Sequence, residues 1–141
     1  MGNIPFKPDT TMIKYCFIII ALLAVSCKKE NSNPNSDNIV GRWQLTSYGG
    51  GFDGKTYYPA ANEVTIITFN ADETYLKTVN GNTTANGKYS LGQVLSIYSG
   101  KNDNALKFDN QSNWNVISIK NTTLEINSNA YDGGGSTYVR K

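Results

Sequence analysis

From residue 39 onward the chain is written in short runs of Val, Ile, Leu, Thr, Tyr and Phe in which apolar and polar residues alternate. Alternation with a period of two turns one face of an extended segment toward a core and the other toward water; no window repeats its apolar residues at the 3.6-residue period of a helix. The pattern predicts strands over 40–48, 63–70, 73–80, 83–91, 93–99, 104–109, 113–120, 122–129 and 136–140. The inward face reads Trp43 and Leu45, Ile67 and Phe69, Tyr75, Tyr89 and Leu91, Leu95 and Ile97, Leu106 and Phe108, Ile117 and Ile119, Leu124 and Ile126.

The links between these runs carry turn chemistry. Asn70-Ala71-Asp72-Glu73 holds side chains that cap a turn, Asn80-Gly81 offers positive φ, and Asn121-Thr122-Thr123 closes a tight hairpin. Asn86-Gly87 reads as a bulge within a strand. Links this short join antiparallel neighbours in sequence order. Eight or nine such strands with few long crossovers predict an all-β fold, a small antiparallel up-and-down β-barrel rather than a sandwich, because closure leaves no exposed edge.

Two glycine-rich segments, 49–61 (GGGFDGKTYYPAA) and 131–136 (YDGGGS), break the rhythm and are expected to be flexible loops. Loops carry function more often than strands do. Phe52, Tyr57 and Tyr58 on the first and Tyr131 on the second supply aromatic rings, most with polar tips, suited to lining one end of the barrel. The competing reading packs Tyr57-Tyr58-Pro59 over the core as a plug. Since an eight-stranded barrel is just wide enough for side chains or one small ligand, the expectation is a filled floor and at best a shallow pocket.

The N-terminus has a different pattern. Residues 15–25 (YCFIIIALLAV) form an apolar run far shorter than the ~20 residues that span a bilayer, with Lys14 before it, as in the hydrophobic region of a secretion signal. Leu23-Ala24-Val25-Ser26-Cys27 follows directly and resembles the lipobox of bacterial lipoproteins. That resemblance implies cleavage before Cys27, a signal peptide over 1–26, and lipidation of Cys27. Met12 precedes an n-region of more ordinary length than Met1 does and is the expected start. Residues 27–38 are polar and Asn/Ser-rich and read as a lipidated flexible tether. Lys28-Lys29-Glu30 resembles the charged surface-export signals of some Gram-negative lipoproteins.

Gly41-Arg42-Trp43 at the head of the first strand resembles the Gly-x-Trp opening of the lipocalin superfamily. Phe69-Asn70-Ala71-Asp72-Glu73-Thr74-Tyr75, Gly87-Lys88-Tyr89-Ser90-Leu91, Leu124-Glu125-Ile126 and Tyr138-Val139-Arg140 resemble, in their order, the short lipocalin-like domains of Gram-negative lipoproteins. Glu73 stands where the turn of that family usually has glycine. The resemblance covers residues 39–141 and implies a structural latch at Gly41, Trp43 and Arg140, with the final arginine lying across the opening tryptophan.

Composition narrows the chemistry. The chain has no histidine, and its two cysteines, Cys16 and Cys27, lie within or just after the apolar run. An imidazole relay is therefore impossible in the domain, and so is an intradomain disulfide; a metal site is not expected. Catalysis would fall to Asp53, Glu63, Asp72, Glu73, Asp103, Asp109, Glu125 and Asp132, most at turns or strand ends where solvated carboxylates are ordinary. The net charge of +2 is scattered, which gives nucleic-acid binding no support. These features predict a non-enzymatic, cofactor-free lipoprotein anchored in the cell envelope, at the outer membrane, whose barrel binds a small amphiphilic or glycan ligand. The alternative is a pocketless interaction protein that docks another envelope protein.

Overall fold

The structure, a computed structural model, describes residues 38–50 and 53–141. Cys27, the expected signal peptide, residues 27–37 of the expected tether, and Phe52 lie outside the described residues. The elements are β1 (Gly41–Gly50), β2 (Thr56–Tyr57), β3 (Thr65–Phe69), β4 (Thr74–Val79), β5 (Asn82–Leu95), β6 (Asn102–Phe108), β7 (Asn115–Lys120), β8 (Thr123–Ser128) and β9 (Gly134–Arg140). Neighbours pair antiparallel in the order β1, β3, β4 and so on to β9, and β9 returns to pair with β1. The fold is a closed eight-stranded up-and-down barrel. The two-residue β2 is an addition, pairing Thr56 and Tyr57 with Gly49 and Tyr48 on the edge of β1 that β3 leaves open.

Each short link closes by local chemistry. In the β3–β4 turn Asn70 N–H donates to Thr74 O and Glu73 N–H donates to Asn70 O, while Glu73 takes a left-handed φ of 63°. A type I turn followed by one left-handed residue is a common three-residue hairpin link, and glycine fills that last position with least strain. Asp72 holds the turn by accepting from the Thr74 amide and hydroxyl, which keeps its carboxyl below the usual carboxylate range. The β4–β5 hairpin turns on Asn80 and Gly81, both at positive φ, 51° and 82°, the arrangement that matches strand twist. Asn121, at φ 55°, opens the β7–β8 turn. The bulge expected at Asn86-Gly87 sits earlier: Lys77 pairs with Ala85 and Thr78 with Thr83, so Thr84 is the extra residue.

The inward face follows the alternation over most of its length. Trp43, Ile67, Phe69, Tyr75, Tyr89, Leu106, Leu124, Ile126 and Tyr138 form one buried cluster together with Ile39, which precedes β1; Leu45, Ala85, Phe108, Ile117 and Ile119 pack around it. Trp43, Phe69, Leu106 and Leu124 are fully buried. The aromatic rings meet edge to face, Phe69 with Tyr89 at 5.0 Å and Tyr75 with Phe108 at 4.6 Å, the geometry their quadrupoles favour.

Three expectations are corrected. Segments 83–91 and 93–99 are not two strands: β5 runs unbroken from Asn82 to Leu95, because Gly92 stays paired with Ala105 and the Trp114 ring lies over it, 3.0 Å from where a Cβ would stand. Leu91 and Leu95 are not in the core but 54% and 65% exposed. For Leu95 the reason is that β6 pairs with β7 at Ala105–Val116 and Leu106–Asn115 alone, so the outer part of the β5–β6 hairpin leaves the wall as an arm; Leu91, opposite buried Leu106, borders the cleft that the arm leaves. The end of the arm is tied to the end of β8: Asn129 accepts from Ile97 N–H and donates to Leu95 O, and the Tyr98 hydroxyl donates to Ser128 O.

The third correction concerns the glycine-rich segments, which are loops only in part. Gly49 pairs with Gly135 and Gly50 with Gly134 in the ladder that closes the barrel. A Cβ on Gly49 would stand 2.1 Å from the Lys55 carbonyl, so three backbones meet here at a separation that a side chain prevents.

Candidate functional site

The β1–β9 ladder runs from Trp43–Arg140 at one end of the barrel to Gly50–Gly134 at the other. The first end is sealed. Trp43 is fully buried and its indole N–H donates to Ile39 O at 2.7 Å. The Arg140 guanidinium lies 4.1 Å from the centre of the Trp43 ring and donates to Val40 O at 2.9 Å and Asn38 O at 2.6 Å. Gly41 makes room for it, since a Cβ there would stand 2.8 Å from Arg140 Nη1. The structure thus brings Gly41, Trp43 and Arg140 together as one assembly. It binds the last strand to the residues before the first and holds Ile39 under the barrel.

The second end opens. A cavity of about 570 Å³ has Tyr75, Phe108 and Tyr138 at its floor, walls that carry Ile67, Ile126, Lys77, Gln111, Asn115 and Ser136, and a lip that includes Tyr48, Tyr57 and the glycines of β1 and β9. At the top of the seam between β1 and β9 the lip is built of Gly49, Gly50, Gly134 and Gly135. Next to these glycines Tyr48, which pairs with Ser136 in the same seam, stacks on Tyr57 of β2 at 5.8 Å, and the Tyr57 hydroxyl donates to Asp53 at 2.6 Å. That bond and one from the Lys55 amide hold the Asp53 carboxyl below the usual carboxylate range.

Deeper in, burial and the nearby negative charge of Asp109 push the Tyr75 phenol above its ordinary value. Burial does the same to Tyr138, against a smaller opposing hydrogen bond with Ser136. Both phenols are therefore neutral O–H groups at neutral pH.

Of the aromatic residues expected at this end, Tyr57 lines the mouth. Tyr58 and Tyr131 do not; they are 72% and 92% exposed, Tyr58 just beyond β2 and Tyr131 in the β8–β9 link. Nor do Tyr57-Tyr58-Pro59 plug the core, which the floor residues fill themselves. Tyr48, Lys77, Tyr75 and Tyr138 complete the lining, and sequence reasoning did not name them as site residues. The signal for Lys77 was present: it stands two positions after inward Tyr75 and so shares its face.

A second cleft, of about 610 Å³, lies where the arm parts from β7, with Ile39, Leu91, Asn104, Ile117 and Ile119 among its walls. Several of the carboxylates serve local structure: Asp109 accepts from the Lys88 amide, Asp103 from Ser99 and Glu63 from Thr65. Among the described residues no three carboxylates converge as a metal site would require. Set against protein-family models, curated proteins and solved structures, the chain matches none of them.

Proposed function

We propose that this protein is a lipid-anchored envelope protein, held at Cys27 at the outer membrane, whose barrel mouth receives one small amphiphile and performs no chemistry on it. The observation that carries the reading is the mouth itself. Its volume of about 570 Å³ falls within the ~300 to 1,000 Å³ of ordinary small-molecule sites, and its lining joins apolar Ile67, Phe108 and Ile126 to polar Lys77, Gln111, Asn115 and Ser136. Such a mixed lining suits a ligand with one apolar and one polar end. A glycan, polar on all sides, gains less from Ile67, Phe108 and Ile126. Anchoring rests on the lipobox resemblance at Leu23-Ala24-Val25-Ser26-Cys27.

Native mass spectrometry of protein purified from its own membrane tests the proposal; it should retain a small molecule of amphiphilic character. Protein that carries no such molecule, and takes none up when amphiphiles are supplied, counts against the reading. A second reading, docking of another envelope protein, is favoured by the cleft beside the arm. There Asn102–Asn104 of β6 and Ile117–Lys120 of β7 face each other without pairing, as a strand-adding partner would need. Co-isolation of a stoichiometric protein partner lost on shortening the arm would support it.

A further inference from the structure

Lys77 lies on the face of β4 that turns inward, half-buried in the wall of the mouth. Among the described residues it is the one charged residue that lines the cavity, and no carboxylate among them lines it. Asp53 accepts from Tyr57 and the Lys55 amide, and Asp109 from the Lys88 amide. An ammonium turned into a partly dry cavity gives up hydration and, without an acidic neighbour, gains no ion pair in return. An anion supplied from outside restores that balance.

The surrounding groups act in the same sense. The Tyr75 and Tyr138 phenols, the amides of Gln111 and Asn115 and the Ser136 hydroxyl all border the cavity and all can donate to an oxyanion. Beside them Ile67, across the ladder from Lys77, and Ile126, across from Ser136, join Phe108 to offer a tail an apolar surface. We propose that the ligand of the mouth is a single-chain amphiphile with an anionic head, the head paired with Lys77 and the tail laid on that surface. This rests on the amphiphile reading above and adds the sign of the head group and the residue that selects it.

Among the described residues the nine strands and the core cluster lie within residues 39–141, so the chain from residue 28 onward carries the whole closed barrel. With that protein, isothermal titration at neutral pH compares dodecanoate, dodecyl phosphate and dodecanol, each below its micellar concentration. At least one of the two anions should bind tenfold or more tighter than dodecanol, and which of them is tighter distinguishes a carboxylate from a phosphate head. Lys77→Met should abolish the preference, weakening the anion at least tenfold and leaving dodecanol unchanged, whereas Lys77→Arg should keep it.

Equal binding of the three probes, or anion binding indifferent to Lys77→Met, overturns the role of Lys77 and leaves the amphiphile reading standing. Failure of all three to bind overturns both. If Lys77→Met does not fold, as near-ultraviolet circular dichroism would report, the comparison of probes on the unaltered protein decides alone.

Discussion

Replacing Arg140 with glutamine removes a guanidinium that does three things at once. It donates to Val40 O in a half-buried setting and to Asn38 O in an exposed one, and it lies 4.1 Å from the centre of the Trp43 ring. Charge-assisted bonds contribute about 1.5 to 3 kcal/mol when buried and less when exposed, so the pair together supplies about 2 kcal/mol. The ring contact adds about 0.5 to 2 kcal/mol, toward the upper part because Trp43 is sealed from water. Against this stands Arg140 Nε, buried without a partner, whose desolvation costs about 1 kcal/mol and disappears with the substitution.

The net expected loss is about 2 to 3 kcal/mol, which in a domain of about 100 residues lowers Tm by roughly 8 to 20 °C. Fraying does not erase the effect, because the terminus is tied by Arg140 N–H to Thr122 O and by Lys141 N–H to Arg42 O. Urea titration followed by Trp43 fluorescence measures it, with unchanged m-value as the sign that only stability moved. A loss below about 0.5 kcal/mol would refute the latch as a source of stability, since that is the size of an ordinary surface substitution. Arg140→Lys should recover only part of the loss, because one ammonium cannot span two carbonyls and cover the ring.

Glu73→Gly should stabilise the barrel by about 0.5 to 1 kcal/mol, since a residue with a Cβ pays to hold φ 63° and glycine does not; a thermal melt that falls instead of rising would contradict this. Gly49→Ala should cost about 1 to 3 kcal/mol, because its Cβ meets the Lys55 carbonyl backbone rather than a side chain that can turn away; chemical denaturation reads the loss. The phenols of Tyr75 and Tyr138 have folded values raised above the unfolded value of about 10. Their stabilising contribution is therefore complete below about pH 10 and is lost as pH rises through the folded values. Absorbance at alkaline pH should show a late class of tyrosines that shrinks in Tyr138→Phe. Cys27→Ala should release the protein from membranes, because the anchor is the acyl chains attached there; membrane fractionation with palmitate labelling checks it, and label that survives the substitution would defeat the anchor.

The features legible in the sequence were those set by neighbours along the chain. Alternation from Trp43 to Ile126 marks strands and their inward face because each residue's side is decided by the pleat, and Asn80-Gly81 marks a hairpin because positive φ is a property of those two residues. From hairpins in sequence order a closed barrel follows with little freedom left. The bulge expected at Asn86-Gly87 was misplaced: it lies at Thr84, and a second interrupts β1 between Leu45 and Ser47, because a bulge is set by the register with the partner strand.

Other features depended on where distant segments meet, and alternation has no record of that. Leu95 continues the inward pattern of β5, yet it is exposed because β6 and β7 part after two pairs and the hairpin leaves the wall beyond them. The glycines at 49–50 and 134–135 looked like slack between elements; they are strand because β1 and β9 close against each other there with β2 alongside. Whether the barrel's interior was full depended on side-chain volumes summed over eight strands, which fill the Trp43 end with indole, phenyl and leucine and leave the glycine end open. Lys77 acquires its meaning from that opening: its inward direction is written in the sequence, but the cavity it faces exists only once the strands have closed around it.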